Sequence, residues 1–399
     1  MNDATRQFIE QNLDADVRQL ALKGAKDQAV DLALALSQIA GLQTARRKLP
    51  SWAALGGLLF PQHLSLEQCS SEQTARYKAD LLRRLGASGR MADLTGGFGV
   101  DFAFMAPLFS EAIYVERQEQ LCAIAEHNFP LLGLHHARIV CADGLGFLSQ
   151  QTEPIDWLFL DPARRDDHGG RTYGIADCTP DVLAAMPLLR EKARHLLLKL
   201  SPMLDWRKAL QDLGPELVGE VHIVAVGNEC KELLLYLTFL PREDRESFSL
   251  FCINDDQVVR FDADEAVSLN LSTNSRDNQE AQVYLYEPNA AIMKSGCFEA
   301  LARRYGVEAV APNSHLFVSH EPVPDFPGRQ FSIETVTTMN KRELKAALTM
   351  RQANISVRNF PLTVAQLRQR LKLSDGGDHY LFATTLADGR HVIFVCKKL

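Results

Sequence analysis

The sequence predicts an α/β protein built on a doubly wound, mostly parallel sheet, with a helical segment before it and a small α+β segment after it. Three observations predict this. Short apolar runs alternate with stretches of helical length and period. Four successive runs each end in a carboxylate, and the connection between the last two runs is too short for a parallel crossover.

The first run, Met91-Ala92-Asp93, passes through Leu94-Thr95-Gly96-Gly97-Phe98-Gly99 into a helical stretch from Val100 to Leu108. Glycines at a strand-to-helix turn open backbone conformations closed to other residues and clear side chains from where a ligand meets main chain. The spacing is G-G-x-G, not the G-x-G-x-x-G of a dinucleotide site, and Asp101 in the first helical turn opposes a phosphate. Carboxylates at Asp93 and Asp101 suit a ligand with cationic groups. The second run, Ile113-Tyr114-Val115, ends in Glu116, 23 residues after Asp93, at the distance where an acid holds a ribose diol. After the helical stretch Gln118 to Asn128 come Ile139-Val140-Cys141 with Asp143, then Trp157 to Leu160 with Asp161-Pro162. Each acid taken singly also reads as a helix N-cap, as Asp143 does before Gly144-Leu145. Runs at His195 to Leu200, Val221 to Val226 and Glu232 to Leu240 follow. Only Gly227 to Lys231 joins the last two, which makes a hairpin and an antiparallel final strand, against the all-parallel sheet of a dehydrogenase.

Residues 3 to 48 have helical period, and a Pro/Gly break from Leu49 to Pro61 leads to a capping box at Ser70 and Gln73 and a helix from Thr74 to Leu85. The divisions expected are a helical domain over 1–85, the sheet domain over 86–240, an acidic α+β domain of ferredoxin-like type over 241–327, and a basic domain over 328–399. Residues 241–327 carry 15 acids and 7 bases, residues 328–399 carry 12 bases and 5 acids. The basic segment holds a helical stretch Lys341 to Arg351, a strand Ile355 to Phe360, a helix Val364 to Leu371, and a hairpin around Asp388-Gly389. A module of net +7 on a chain of net −7 points to a polyanion partner through residues such as Lys341, Arg342, Lys345, Arg358, Arg368 and Arg370. It lacks an aromatic-and-glycine single-strand platform, so recognition would be by shape and phosphate.

The chain's 399 residues, 46% hydrophobic and 23% charged, suffice for two or three domains. The first twenty residues carry Asp3, Glu10, Asp14 and Asp16 and no basic start before an apolar run, and no segment reaches the ~20 apolar residues of a membrane span. A cytoplasmic address without membrane contact is expected. Eight cysteines form no C-x-x-C pair, which points to neither a zinc site nor a disulfide framework, and no metal is expected.

The chain resembles the class I S-adenosylmethionine-dependent methyltransferases, and more closely the bacterial methyltransferases with a THUMP-like domain. The resemblance rests on Asp93 to Asp101, on Asp161-Pro162-Ala163-Arg164-Arg165, on Leu66 to Lys78 and on Asn354 to Pro361. It implies a Rossmann-like seven-stranded sheet with an antiparallel last strand and S-adenosyl-L-methionine as cofactor. By the same resemblance Asp93 and Gly97 lie at the methionine end, with Thr95, Gly96, Gly99 and Asp101 in the same turn. Glu116, followed by Arg117, bonds the ribose hydroxyls; Asp143, followed by Gly144, reads the adenine amino group; Ser71 or Thr74 closes over the methionine end. Asp161, Pro162 and Arg164 face the acceptor. THUMP domains bind RNA, so the resemblance implies an RNA partner for residues 328–399 and a tRNA or rRNA base as substrate.

Amino-methylating enzymes carry Asp/Asn-Pro-Pro-aromatic at this strand end, where carboxylate and carbonyl hold an exocyclic amine with its lone pair aimed at the methyl. Here Ala163 and Arg164 replace the second proline and the aromatic, which removes the stacking face for a flipped base. Arg164, Arg165 and Arg171 suit a grip on phosphate, or else pair with Asp166 and Asp167. Cys178 and Cys230 lack the setting of a pyrimidine nucleophile. Lys199 to Pro202 and Asn228-Glu229 end later strands at the same edge, as acceptor lining or as loop caps. Two other readings are a methyltransferase of a small molecule or protein, and a non-catalytic RNA-binding protein with a retained cofactor pocket. The full set of strand-end acids argues against the last.

Overall fold

All four carboxylate-ended runs are strands in the computed structural model, which describes residues 1–61, 63–164, 174–241, 247–267 and 284–399, without the side chains of residues 63, 64 and 164. They are β1 (Arg90–Asp93), β2 (Glu111–Glu116), β3 (Ala137–Cys141) and β4 (Ile155–Leu160). A two-residue ribbon, β5 (Ala163–Arg164) with β6 (Cys178–Thr179), precedes β7 (Ala193–Leu200), β8 (Val218–Val226) and β9 (Glu229–Thr238). The chain divides into two units, residues 1–220 with 231–246 and residues 221–230 with 247–399.

In the first unit the strand order is β9-β7-β4-β1-β2-β3, parallel except for β9, which runs antiparallel to β7 with His195 opposite Thr238 and Leu200 opposite Leu233. The antiparallel last strand follows from the connection ahead of it. Gly227 and Asn228 both have positive φ, +58° and +63°, the backbone of a two-residue hairpin turn. Helices α7 (Val100–Met105), α8 (Glu119–Leu131), α9 (Gly144–Ser149), α10 (Val182–Lys192) and α11 (Trp206–Leu213) make the remaining connections. β1, β2 and β4 are buried almost end to end, because a parallel sheet covered on both faces has no wet side. Phe102 of α7, Tyr114 of β2 and Phe129 of α8 meet with ring centroids 5.1–5.6 Å apart and fix the helices to the sheet.

The N-terminal helices are α1 (Asp3–Gln11), α2 (Val17–Lys23), α3 (Leu32–Lys48), α4 (Pro50–Leu55), α5 (His63–Gln68) and α6 (Glu72–Arg84). They share a core with the sheet layer. Leu49, Trp52, Leu58, Phe60 and Leu66 pack with Phe98, Val100 and Leu121, each large side chain removed from water contributing about 1.5–3 kcal/mol. The Asn128 side chain donates to Leu59 O at 2.8 Å and accepts from Leu59 N at 2.9 Å, so a loop of residues 1–85 is bonded to α8.

The second unit holds a hairpin, β10 (Ser249–Asn254) and β11 (Gln257–Asp262), with α12 (Ala263–Val267), and a seven-stranded sheet. That sheet has the order β13-β14-β12-β15-β18-β17-β16. Its strands are β12 (Tyr284–Pro288), β13 (Glu308–Ala309), β14 (Phe317–Ser319), β15 (Gly328–Thr338), β16 (Asn354–Arg358), β17 (His379–Thr385) and β18 (His391–Lys398). Helices α13 (Ala290–Ser295), α14 (Phe298–Tyr305), α15 (Lys341–Ala347) and α16 (Val364–Leu371) complete the unit. The charge boundary at Pro327-Gly328 falls where β15 begins, and β15 pairs with β12 on one side and β18 on the other. The acidic and basic segments therefore share one sheet. α15 buries no residue and exposes Lys341, Arg342 and Lys345, whereas Arg368 pairs with Asp375 and Arg358 with Glu287.

Candidate functional site

β1 delivers Asp93 to the carboxyl edge of the first unit's sheet and the chain then turns sharply into α7. Asp93 is 1% exposed and accepts a hydrogen bond from Thr95 N at 2.9 Å. Burial pushes its carboxyl up to about 8, Thr95 opposing and the nearby Asp101 and Asp161 adding to it. Thr95 also ties two strands, its hydroxyl accepting from Asp161 N at 2.7 Å. Gly97 has φ +54° and only Thr95 O, at 3.8 Å, near where a side chain would project, while its N–H donates to Glu116 Oε2 at 2.9 Å. The Tyr114 hydroxyl donates to Gly97 O. Glu116, 7% exposed at the end of β2, receives Gln118 N on its other oxygen at 2.9 Å. The glycine turn and the second strand-end acid are thus one bonded unit.

Gly96 abuts the Tyr114 ring and Gly99 begins α7. Gly144 lies so close to Leu94 O that an added Cβ would come within 2.2 Å, which presses the start of α9 against the end of β1. Asp143 is exposed and caps α9, accepting from Gly146 N at 2.8 Å, and Arg117 is exposed beside it in sequence to Glu116. Ser71 is the cap of α6 and accepts from Thr74 N at 3.2 Å, with Thr74 Oγ1 donating to Ser71 O. The capping box expected at Ser70 and Gln73 is therefore replaced by a cap one residue later, because Ser70 is engaged elsewhere. Pro162 is buried; Arg165 and Arg171 lie outside the described residues, as does the side chain of Arg164.

Ser70 is the hub of a buried charge cluster. Its hydroxyl lies 2.7 Å from Asp101 Oδ2, 3.1 Å from Glu232 Oε1, 3.2 Å from Lys78 Nζ and 3.0 Å from Lys199 Nζ. Lys78, with no exposed side-chain surface, pairs with Asp101 Oδ1 at 3.0 Å and with Glu232. Lys199 Nζ lies 2.7 Å from Asp161 Oδ2 and 3.3 Å from Asp101 Oδ2. Burial works against the charge on Asp101, yet Lys78 and Lys199 outweigh it and hold the carboxyl down to about 2. Burial likewise opposes the charge on Lys199, and Asp161, Asp101 and Glu232 together raise it well above the ordinary lysine value. Asp161 is the open member, its side chain 37% exposed. Burial at the base of the site raises its proton affinity against the pull of Lys199.

Asp93, Thr95, Asp101 and Asp161 are thus brought together, and Glu116 joins Gly97. Lys78 and Glu232 belong to the same cluster, and the motif reading gave neither a role, although each left a signal. Lys78 sits on the buried stripe of α6 between Ala75, Ala79 and Leu82, and Glu232 is followed by buried Leu233, Leu234 and Leu235 in β9. A charge on an apolar stripe needs a buried partner.

The fold and this edge define the class I methyltransferases. Residues 284–327 match the model of a ferredoxin-like domain and residues 328–398 that of a THUMP domain-like module. No curated protein matches the chain. The crystal structure of a candidate methyltransferase from Porphyromonas gingivalis W83 is 33% identical, the match covering 99% of this chain and 97% of that one with a TM-score of 0.84. The chain belongs to that family, the class I S-adenosylmethionine-dependent methyltransferases with a THUMP-like C-terminal domain. Two further solved structures are similar over part of the chain. An rRNA methylase from Streptococcus thermophilus is 17% identical, over 41% of this chain and 95% of that one, with a TM-score of 0.31. TrmK of M. capricolum with S-adenosyl-homocysteine is 13% identical, over 43% and 73%, with a TM-score of 0.32.

Proposed function

We propose that the chain is an S-adenosylmethionine-dependent methyltransferase that modifies RNA. The observation that carries the cofactor is Asp93, a buried carboxyl that among the described residues accepts hydrogen bonds only from Thr95 and holds its proton up to about pH 8. An acid left without a cation fits a ligand bearing ammonium and sulfonium groups. Asp93 and Gly97 hold the methionine end in this reading. Each carboxylate oxygen of Glu116 has a lone pair left after its backbone bond, and these take the ribose hydroxyls. Asp143 takes the adenine amino group.

When bound, the cofactor supplies an electrophilic methyl group. The chain's part is to orient the acceptor at Asp161 and to keep water out, and alignment at ~3 to 3.5 Å supplies much of the rate. The Ser70–Lys78 arm of the N-terminal helices closes the base of the site against Asp101 and Glu232. The THUMP domain-like match and the cations exposed on α15 support RNA as the substrate. Calorimetry with S-adenosylmethionine, followed by transfer of a labelled methyl into RNA from cells lacking the gene, tests the reading. Micromolar binding and label in RNA are expected; a chain that binds no cofactor overturns it.

A further inference from the structure

Resting on that reading, we infer that the acceptor is a hydroxyl, the 2′-hydroxyl of a ribose in RNA, held by Asp161 and Lys199 as the two catalytic groups. The argument is a count of lone pairs. An exocyclic amine has two N–H donors and one lone pair, and that pair must point at the methyl, so its site must offer two acceptors and no donor. A hydroxyl has one donor and two lone pairs, so it takes one acceptor and one donor and still has a pair for attack.

The reacting corner offers the second arrangement. Asp161 Oδ1 takes no hydrogen bond among the described residues, while Oδ2 is held by Lys199 Nζ at 2.7 Å. Beside that acceptor stands an ammonium, and an ammonium aimed at an amine would quench its only lone pair. The three protons of Lys199 face Asp161 Oδ2, Ser70 Oγ and Asp101 Oδ2 at 2.7, 3.0 and 3.3 Å. The last contact is long, and its acceptor already receives Ser70 at 2.7 Å. That proton is the least tightly held of the three, and it turns to the acceptor oxygen when the substrate is bound.

The rest of the cluster keeps this pair in working order. Lys78 takes Glu232 and shares Asp101 with Lys199, so the shortest contact of Lys199 is the one to Asp161. With Ala163 and Arg164 in place of the second proline and the aromatic, the strand end presents no aromatic face to a flipped base, and a ribose needs none.

The hydroxyl oxygen bonds to the methyl carbon as the carbon–sulfur bond breaks with its electron pair left on sulfur. The O–H proton passes to Asp161 Oδ1, and from that open side chain to water. Lys199 stabilises the negative charge that gathers on oxygen as the proton leaves.

The test incubates the full chain with methyl-labelled S-adenosylmethionine and total RNA from cells lacking the gene, followed by alkaline hydrolysis. A 2′-O-methyl group blocks cleavage at its own phosphodiester, so the label is expected in alkali-resistant dinucleotides. Label in mononucleotides with a methylated base overturns the inference and leaves the RNA reading standing. No label in RNA, from a chain that binds the cofactor in calorimetry, overturns both. Lys199→Met should bind cofactor within about threefold of the parent, which also reports that it folds, yet lose roughly 100-fold or more in turnover, as for loss of a charge-stabilising donor. Lys199→Arg should recover part of that loss. Undiminished turnover in Lys199→Met removes Lys199 from the chemistry.

Discussion

Lys78 meets Asp101 across 3.0 Å with none of its side chain exposed, a charge pair sealed inside the first unit. Its second partner is Glu232. Removing one member of a buried pair strands the other, so Lys78→Met should lower stability by about 3 to 5 kcal/mol. Adding Glu232→Gln should restore part of the loss. Urea denaturation of the three proteins measures both, and a single variant within about 1 kcal/mol of the parent would show that the pair stabilises nothing.

Asp93 makes stability fall with pH. Its carboxyl holds a proton to about 8 in the folded chain and to about 3.9 when unfolded, so between these values the folded state binds the extra proton. The stabilisation is whole below about pH 4 and is lost as pH rises through about 8. Asp93→Asn should therefore be flatter across this range and gain on the parent at pH 8.5. If a cationic cofactor meets Asp93, its binding at pH 7 should release a proton. Calorimetry in two buffers of different ionisation enthalpy reads that proton, and equal heats in both would separate Asp93 from the ligand.

Glu116 and Gly97 should fail together. Glu116→Ala removes the ribose partner and also the acceptor of Gly97 N, and charged hydrogen bonds of this kind are worth ~1.5 to 3 kcal/mol of affinity. Gly97→Val puts a branched side chain at φ +54°, a strained backbone for such a residue, against Thr95 O and into the space proposed for the cofactor. It should abolish binding while unfolding stays cooperative. Parent-like titrations with either variant would leave the turn a structural element only.

RNA affinity should fall with salt, with a log-log slope of roughly −0.7 for each single-strand phosphate contact. Lys341, Arg342, Lys345 and Arg370 are the residues to reverse, because Arg358 and Arg368 are engaged with Glu287 and Asp375. Changing the four to Glu should flatten the slope and leave cofactor binding intact. A parent-like slope measured by anisotropy would place the RNA on another surface.

The elements themselves were legible. β1 to β4 with their acids, the antiparallel β9, and α16 over Val364–Leu371 all follow from period, turn chemistry and connection length, which act over a few residues. The charge boundary at residue 328 was legible too, but it did not predict that β12 and β18 would close on either side of β15. Composition says nothing about which strands pair.

The sequence by itself determined which carboxylates stand at strand ends, since the strand and the turn after it are local. Only the tertiary structure decided which charges meet. Ser70 looked like a helix cap because its neighbours fit that pattern, yet the cap is Ser71, and Ser70 binds side chains 31, 129 and 162 residues away. Lys78 and Glu232 are 154 residues apart. An ion pair has no sequence period, and burial makes it necessary only once helix, turn and strand have packed and excluded the water that would otherwise solvate each charge.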